Sequence, residues 1–517
     1  MNYHLIMRQI GSLVLLLSAT LLAIWICSFA VVENFIDSQN ASNLALLKTI
    51  GISAFLGSTL YLLGKTSKNK QATNIMGRKE ALLLGSSSYF VGCGIAALPF
   101  WLWAKEGANE GHPFHSIINC LFESMSGLTT TGATILSDIS ALPDSLLFWR
   151  ALIQWLGGLG IIVLFVAVLP NLGVGGRKLF RAEGSSGQPG VKPSIKETAR
   201  VLWLMYAGFT GLEIVAYWAA GMNLFDATCH AFTTLATGGF STHSDSIGAY
   251  NSKIIDVITL LFMVIAATNF GLYYAALRGR LKQIWEDPEF RCYILLLCVG
   301  SIIVSAALVG SGQPLTSTAG ITTTPTAVEV LSQSTFTVVS QQTGTGFCVS
   351  DFDQWPFVAK AVLVLLMFIG GCSGSTACGL KVIRIWIAFK VLFSQLERAF
   401  RPHVIRPLKI GKNAIDDDLK LATISYLLGL LVIFSIGACG IMIFESGNSA
   451  CDIATAATAS LATVCNVGPG LAKVGAIENY AWLNNASKLL LCLLMAIGRL
   501  EIFAVLVLFS PKFWRSK

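Results

Sequence analysis

Phe114–Thr134 reads FHSIINCLFESMSGLTTTGAT: about a dozen largely apolar residues, then the loop Thr129-Thr130-Thr131-Gly132-Ala133-Thr134. The apolar part is too short to cross a bilayer, which takes about 20 apolar residues. Long apolar runs flank it near 81–104 and 145–170. The same unit recurs three times. The short stretches Phe225 to Ala236, Ala327 to Gln341 and Ala450 to Ala462 run into Ala236-Thr237-Gly238-Gly239-Phe240-Ser241, Thr343-Gly344-Thr345-Gly346-Phe347 and Asn466-Val467-Gly468-Pro469-Gly470. Their flanking runs lie near 200–221 and 253–277, 292–311 and 357–391, and 419–444 and 487–510. One glycine aligns in all four loops, at Gly132, Gly238, Gly346 and Gly468, with spacings of 106, 108 and 122 residues. A half-helix followed by a glycine loop between two spanning helices is a re-entrant segment. Irregular backbone at membrane depth survives only when buried in protein or lining a wet cavity. The expected fold is therefore an all-α membrane protein with four re-entrant pore half-helices in four-fold pseudosymmetry about one central pore.

Two further apolar runs, near 10–32 and 42–64, precede the repeats and raise the count to ten spans. The first is too long for a signal-peptide core of roughly 7–15 residues. The expected divisions are 1–70 for the two extra helices, then pore repeats at 79–177, 196–282, 290–397 and 415–517. Of 517 residues, 54% are hydrophobic and 12% charged, and the mean hydropathy is +0.67. Soluble domains carry about 25% charged residues, so this chain is solvated by lipid. Its net charge of +8 is concentrated in alternate loops: Lys65 to Lys79, Arg177 to Arg200, Arg278 to Arg291, Arg398 to Lys412, and the tail Lys512 to Lys517. That alternation is the positive-inside pattern, and it places both termini in the cytoplasm. Short clusters separated by membrane-length runs argue against nucleic-acid binding. Thirteen cysteines without a C-x-x-C indicate neither a disulfide framework nor a zinc site.

The loop chemistry suits a cation. An ion in a narrow pore must exchange water for protein oxygens, and rings of backbone carbonyls supply them. Glycine permits the positive-φ conformations that aim carbonyls inward. Half-helices whose C-terminal ends face the pore add partial negative charge. The bland alternative is close helix packing on small residues, which explains one such loop more easily than four at matched places.

The third repeat's second helix is interrupted by Gly370-Gly371-Cys372-Ser373-Gly374-Ser375-Thr376-Ala377-Cys378-Gly379. Placed below the filter, 370–380 forms a gating loop; otherwise it is a kink or a tight crossing. The fourth repeat's second helix holds Gly498-Arg499-Leu500-Glu501. A charge at mid-membrane usually marks function. Arg499 either faces the pore and binds carbonyls of the small-residue loop, or makes a structural contact with Glu501 or a carbonyl behind it. Asp138, Asp144, Asp245, Asp351 and Asp353 fall near the outer mouths, where they concentrate cations or are ordinary solvated residues. Asn269 lies in the second repeat's inner helix, as a pore contact or a packing residue.

The four loops, the segment Gly370 to Ile385 and the closing run Gly498 to Arg515 resemble the Trk/Ktr/HKT superfamily of potassium transporters. The two extra N-terminal helices, and Gly379-Leu380-Lys381-Val382-Ile383-Arg384 after the small-residue string, resemble its bacterial TrkH family. The resemblance implies a fold like four fused potassium-channel subunits and uptake of K+ across the bacterial cell inner membrane. It further implies a homodimer with one pore per protomer, and cytoplasmic TrkA-type nucleotide-binding regulatory subunits. It implies a filter of carbonyls from Thr130, Thr131 and Gly132; Ala236, Thr237 and Gly238; Gly344, Thr345 and Gly346; and Asn466, Val467 and Gly468. The gate would comprise Gly370, Gly371, Ser373, Gly374, Ser375, Gly379 and Arg499. A serine in the first loop accompanies sodium transport in plant relatives, and Gly132 here favours potassium. Ala377-Cys378 stands where the family pattern leads one to expect more glycines.

Other functions fit less well. Gly371-Cys372-Ser373-Gly374 matches a serine-nucleophile string, yet the six histidines, at 4, 112, 115, 230, 243 and 403, supply no general base within a spanning helix. Gly64-Lys65-Thr66 ends like a phosphate loop but has Thr59 where the first glycine is needed. The chain is thus read as no enzyme, with no organic cofactor. A proton- or sodium-coupled symporter of the same fold remains the alternative to a gated channel. Its carboxylate candidates are Glu123, Glu329, Asp452 and Glu501.

Overall fold

The computed structural model describes residues 1–29, 40–65, 77–168, 195–402, 408–410 and 413–515. Much of the basic loop sequence falls outside them, including Lys68, Lys70, Arg177, Lys178, Arg181, Lys192, Arg406 and Lys412.

Helices α1 (Tyr3–Phe29) and α2 (Asn40–Lys65) form an antiparallel pair that packs on α3 (Arg78–Gly107). Small residues set their crossing. A Cβ on Gly11 would stand 2.5 Å from the Tyr61 amide nitrogen, and one on Gly64 2.5 Å from that of Arg8. Gly64, which opens the phosphate-loop-like string, is thus a packing glycine, as is common where helices approach closely in lipid.

The first repeat continues with the half-helix α4 (Ile117–Leu128) and the inner helix α5 (Asp144–Val168). The second has α6 (Ile195–Ala219), half-helix α7 (Leu224–Leu235), α8 (Lys253–Ala266) and α9 (Phe270–Leu277). The third has α10 (Pro288–Ser311), half-helix α11 (Ala327–Thr343), α12 (Phe357–Phe368) and α13 (Val382–Phe400). The fourth has α14 (Asp417–Phe444), half-helix α15 (Ile453–Val464), α16 (Asn485–Arg499) and α17 (Ile502–Leu506). Caps fix these boundaries locally. Asp287 accepts from the Phe290 amide at 2.9 Å ahead of Pro288, and Gly312 closes α10 at φ 60°. Three half-helices start on equivalent caps: Asn223 accepts from Asp226, Thr326 forms a capping box with Glu329, and Asp452 accepts from Thr455.

Among the described residues, six helices are long and apolar enough to cross a membrane. The number rises to eight if two bent pairs each count as one span. The bends depart from the continuous helices expected at 253–277 and 487–510. The α8–α9 pair turns by 94° and the α16–α17 segment by 120°. At the first, Asn269 caps α9 by accepting from the Gly271 amide at 2.7 Å. At the second, Glu501 adopts φ 62°, a conformation that no helix interior tolerates. The third inner helix is interrupted where the small-residue string predicts, between Phe368 and Val382.

Candidate functional site

After each half-helix the backbone makes the same turn. The amides of Thr130, Thr237, Gly344 and Asn466 donate to the carbonyl three residues back, over 2.8–3.4 Å. The next amides, of Thr131, Gly238, Thr345 and Val467, donate five residues back at 2.8, 2.8, 3.0 and 2.8 Å. The first residue of each set has φ of 51°, 52°, 72° and 53°. The third, Gly132, Gly239, Gly346 and Gly468, has φ of 84°, 73°, 79° and 96°. Thr130, Thr237 and Asn466 bear a left-handed φ without being glycine, so the glycines at the third position answer to close approach of the next loop as well as to φ.

This equivalence corrects the second loop by one residue. Its triplet is Thr237, Gly238 and Gly239, not Ala236, Thr237 and Gly238. Ala236 caps α7, as Thr129 caps α4 and Cys465 caps α15. The tandem glycines offered two alignments, and only hydrogen bonds and dihedrals separate them. The corrected spacings between third-position glycines are 107, 107 and 122 residues.

The loops contact one another in cyclic order. A Cβ on Gly132 would collide with the Gly238 carbonyl, one on Gly239 with that of Thr345, and one on Gly346 with that of Val467. A Cβ on Gly468 would lie 2.7 Å from the Thr131 carbonyl, which closes the ring. A cavity of about 270 Å³ opens over it, lined by Gly132, Gly239, Gly346 and Gly468 together. Backbone oxygens so arranged can replace water around a dehydrated cation.

Side chains brace the ring from behind. Glu123 and Arg150, both buried, pair at 2.6 Å. Glu123 also accepts from Thr134 Oγ1 and the Ile135 amide, at 2.9 and 3.0 Å. Arg150 donates to the Ser241 carbonyl at 2.8 Å and lies 3.6 Å from the Phe240 ring centre. Gln154 Nε2 donates to the Gly238 carbonyl at 2.8 Å, and its Oε1 accepts from the Phe240 amide at 3.1 Å. Asn466 Nδ2 reaches Thr131 Oγ1 at 2.8 Å and the Met495 carbonyl at 3.0 Å. Tyr480 donates to the Gly468 carbonyl at 2.9 Å.

Of the five outer aspartates, Asp245 lines the cavity. Asp138 is engaged with Ser140, Asp144 sits in the first turn of α5, and Asp351 accepts from Gln354. Asp353 accepts from the Ala472 amide at 2.8 Å, and burial pushes its carboxyl up to about 6. His243, also on the cavity wall, lies 3.4 Å from Asp226, and that hydrogen bond raises its pKa. His230 lies inside half-helix α7, hydrogen-bonded to Ser241.

The small-residue loop threads between the inner-helix breaks. The Cys372 amide donates to Ala267 O at 2.8 Å, and Thr376 Oγ1 to Ala266 O at 3.0 Å. The Gly374 carbonyl, in a residue at φ 70°, accepts from the Phe270 amide. The bend between α8 and α9 thus seats the loop, and the loop satisfies carbonyls that the bend frees. Gly370 donates to Leu380 O at 2.9 Å, Gly371 O accepts from Val382 at 3.2 Å, Ser375 turns back onto Cys372 O at 2.5 Å, and Gly379 has φ 74°. Ser373 offers its amide and hydroxyl to Glu289, at 2.8 and 3.1 Å.

Arg499, 1% exposed, donates to Thr376 O at 2.9 Å, Cys378 Sγ at 2.8 Å and Gly157 O at 2.9 Å. It does not pair with Glu501, which is bound by Arg384 at 2.9 and 3.0 Å. Cys378, where a further glycine is expected, is thus an Arg499 contact. Of the candidate relay carboxylates, Asp452 is the N-cap of α15 and Glu329 completes the capping box on Thr326. Arg150, Gln154, Glu213 and Glu289 escaped the sequence reading. Isolated charges at 150, 213 and 289 within or beside apolar runs were the available signal; Gln154 carried none.

A family model described as TrkH, cation transport protein, matches residues 99–516. The Trk system potassium uptake protein TrkH of Salmonella typhimurium is 36% identical over the full length of both chains, as is that of Halomonas elongata. The Trk system potassium uptake protein TrkG of Escherichia coli is 34% identical over 82% of each chain. The crystal structure of the potassium transporter TrkH from Vibrio parahaemolyticus superposes with a TM-score of 0.83 at 32% identity, covering all of both chains. The chain belongs to the TrkH family of cation transport proteins.

Proposed function

We propose that this protein takes up potassium across the bacterial inner membrane through a filter of backbone carbonyls. Its ligands come from Thr130, Thr131 and Gly132; Thr237, Gly238 and Gly239; Gly344, Thr345 and Gly346; and Asn466, Val467 and Gly468. The observation that carries the reading is the ring itself: each third-position glycine abuts the second-position carbonyl of the next loop, and all four glycines line one cavity. Half-helices that end at the ring lend it partial negative charge. Ten spans, arranged as an N-terminal pair and four pore repeats at the boundaries given above, follow from this reading. The alternation of basic loops adds both termini in the cytoplasm.

The loop 370–380 acts as the gate, held by Arg499. Support comes from its contacts with the α8–α9 break of the second repeat and, through Arg499 at the end of α16, with the middle of α5 in the first. A homodimer with one pore per protomer, and control by TrkA-type nucleotide-binding subunits, complete the proposal. A proton-coupled version has one observation in its favour: Glu213 is wholly buried in α6, against the second half-helix. Flux of K+, Rb+ and Na+ into liposomes holding the purified protein tests both readings. The channel reading requires K+ and Rb+ to enter down the membrane potential, with Na+ at least about tenfold slower and no proton uptake. Potassium entry that stops without a pH gradient would replace it with coupled transport. Equal entry of all three ions would remove the filter altogether.

A further inference from the structure

The second corner of the ring differs from the others at its middle residue. Thr131, Thr345 and Val467 carry side chains there, while Gly238 has none. Its backbone does not require glycine, because Gly238 lies outside the left-handed set. What excludes a side chain is Gln154. A Cβ on Gly238 would sit 2.5 Å from Gln154 Cδ and 2.9 Å from its Nε2.

Gln154 belongs to α5 of the first repeat and is fully buried. One turn further along the same face, Gly158 lies against Ala236, and Gly157 against the Leu128 carbonyl. That close approach fixes α5 at the ends of two half-helices, so Gln154 projects from a rigid support. In the first and third loops the middle threonine is tied to the threonine two residues before it, Thr129 with Thr131 at 2.7 Å and Thr343 with Thr345 at 2.8 Å. In the second loop Gln154 makes the tie instead, holding the Gly238 carbonyl and the Phe240 amide on either side of Gly239.

We infer that Gln154 is a specificity-determining positioning residue, a side chain lent by the first repeat to the second loop in place of the one Gly238 lacks. The inference rests on the filter reading above. A donor on the Gly238 carbonyl fixes its direction. The second corner therefore holds its distance from the axis by a hydrogen bond across repeats. Selection between K+ and Na+ depends on how many carbonyls can close on the smaller ion, and a corner freed to move in would admit it.

The test is the K+ to Na+ flux ratio of the full-length protein in liposomes, together with total K+ flux. Gln154→Met fills the space without donating, and Gln154→Ala empties it; each is expected to lower the ratio about tenfold while K+ flux persists. Gly238→Thr alone collides with Gln154 and is expected to lose flux. Gln154→Ala combined with Gly238→Thr supplies the side chain in place, and is expected to regain both flux and most of the ratio. Ratios within about twofold of the parent in both single glutamine variants overturn the inference, as does a double variant no better than Gly238→Thr. Failure of all the Gln154 variants to assemble also overturns it, since the substitution in place should compensate. The filter reading is tested separately by Gly346→Ala, where full flux would sink that reading whatever the glutamine variants do.

Discussion

Glu123→Gln removes one charge from a pair that has no access to solvent, with Glu123 0% and Arg150 1% exposed. The amide keeps the shape and an oxygen for Thr134 and Ile135, but turns an NH2 donor towards Arg150 Nε, so charge and hydrogen bond are lost together. Arg150 is left buried, with the Ser241 carbonyl and the Phe240 face as its remaining partners. Breaking such a pair on one side costs about 3–5 kcal/mol, because the orphaned ion cannot recover its hydration. At about 1.4 kcal/mol per factor of ten, the lower figure is about two orders of magnitude in an equilibrium. If half of it appears in the unfolding rate, heat inactivation accelerates about tenfold or more. The assay is the rate at which monodisperse protein is lost from a detergent solution at fixed temperature, with Rb+ flux of the survivors. Glu123→Gln combined with Arg150→Met removes both charges and should return most of the lost lifetime, since a buried pair and an apolar substitute are often near balance. A single variant inactivating within about twofold of the parent would refute the reasoning. A double variant as fragile as the single would refute it equally.

Three further outcomes follow. Gly239→Ala should abolish flux, because a left-handed L-residue costs about 1–2 kcal/mol and its Cβ meets the immovable Thr345 carbonyl; Ala236→Gly should leave Rb+ uptake near parental, and the reverse order would restore the uncorrected register. Arg499→Ala frees Thr376 O and Gly157 O and unlatches the loop, so Rb+ flux should rise several-fold, and unchanged flux in a well-assembled variant counts against the gate. The raised His243 pKa means that its ionic contact with Asp226 is fully present below about 6.5 and is lost as pH rises through the folded value. Heat inactivation should therefore quicken as pH rises from about 6.5 through that folded value, and His243→Gln should flatten that profile.

The repeat was legible because its parts have distinct signatures: a stretch too short to span, a glycine loop, and long apolar runs on both sides. Positive φ at Gly132, Gly346 and Gly468 is a backbone demand that composition reveals. At Gly238-Gly239 the same demand falls on one of two adjacent glycines, and the letters alone do not say which. The 120° bend after α16 was hidden for a related reason: Glu501 takes its positive φ without glycine, held by Arg384 from another repeat. Gln154 left no trace, since its partners lie 84 and 86 residues away. Local hydrogen bonds and dihedrals decide the register and contacts across repeats the braces, and both exist only in the folded ring.

A pore assembled from identical subunits receives every substitution at all its corners at once, so a change that improves one contact must be tolerated by the rest. Here the cycle closes within one polypeptide, and its quarters already differ: a glutamine behind one, an asparagine bridging another, a tyrosine hydroxyl on the carbonyl of the same quarter. A substitution can therefore alter a single corner and leave the other three as they were; under the filter proposed above, ion preference is then adjustable one corner at a time.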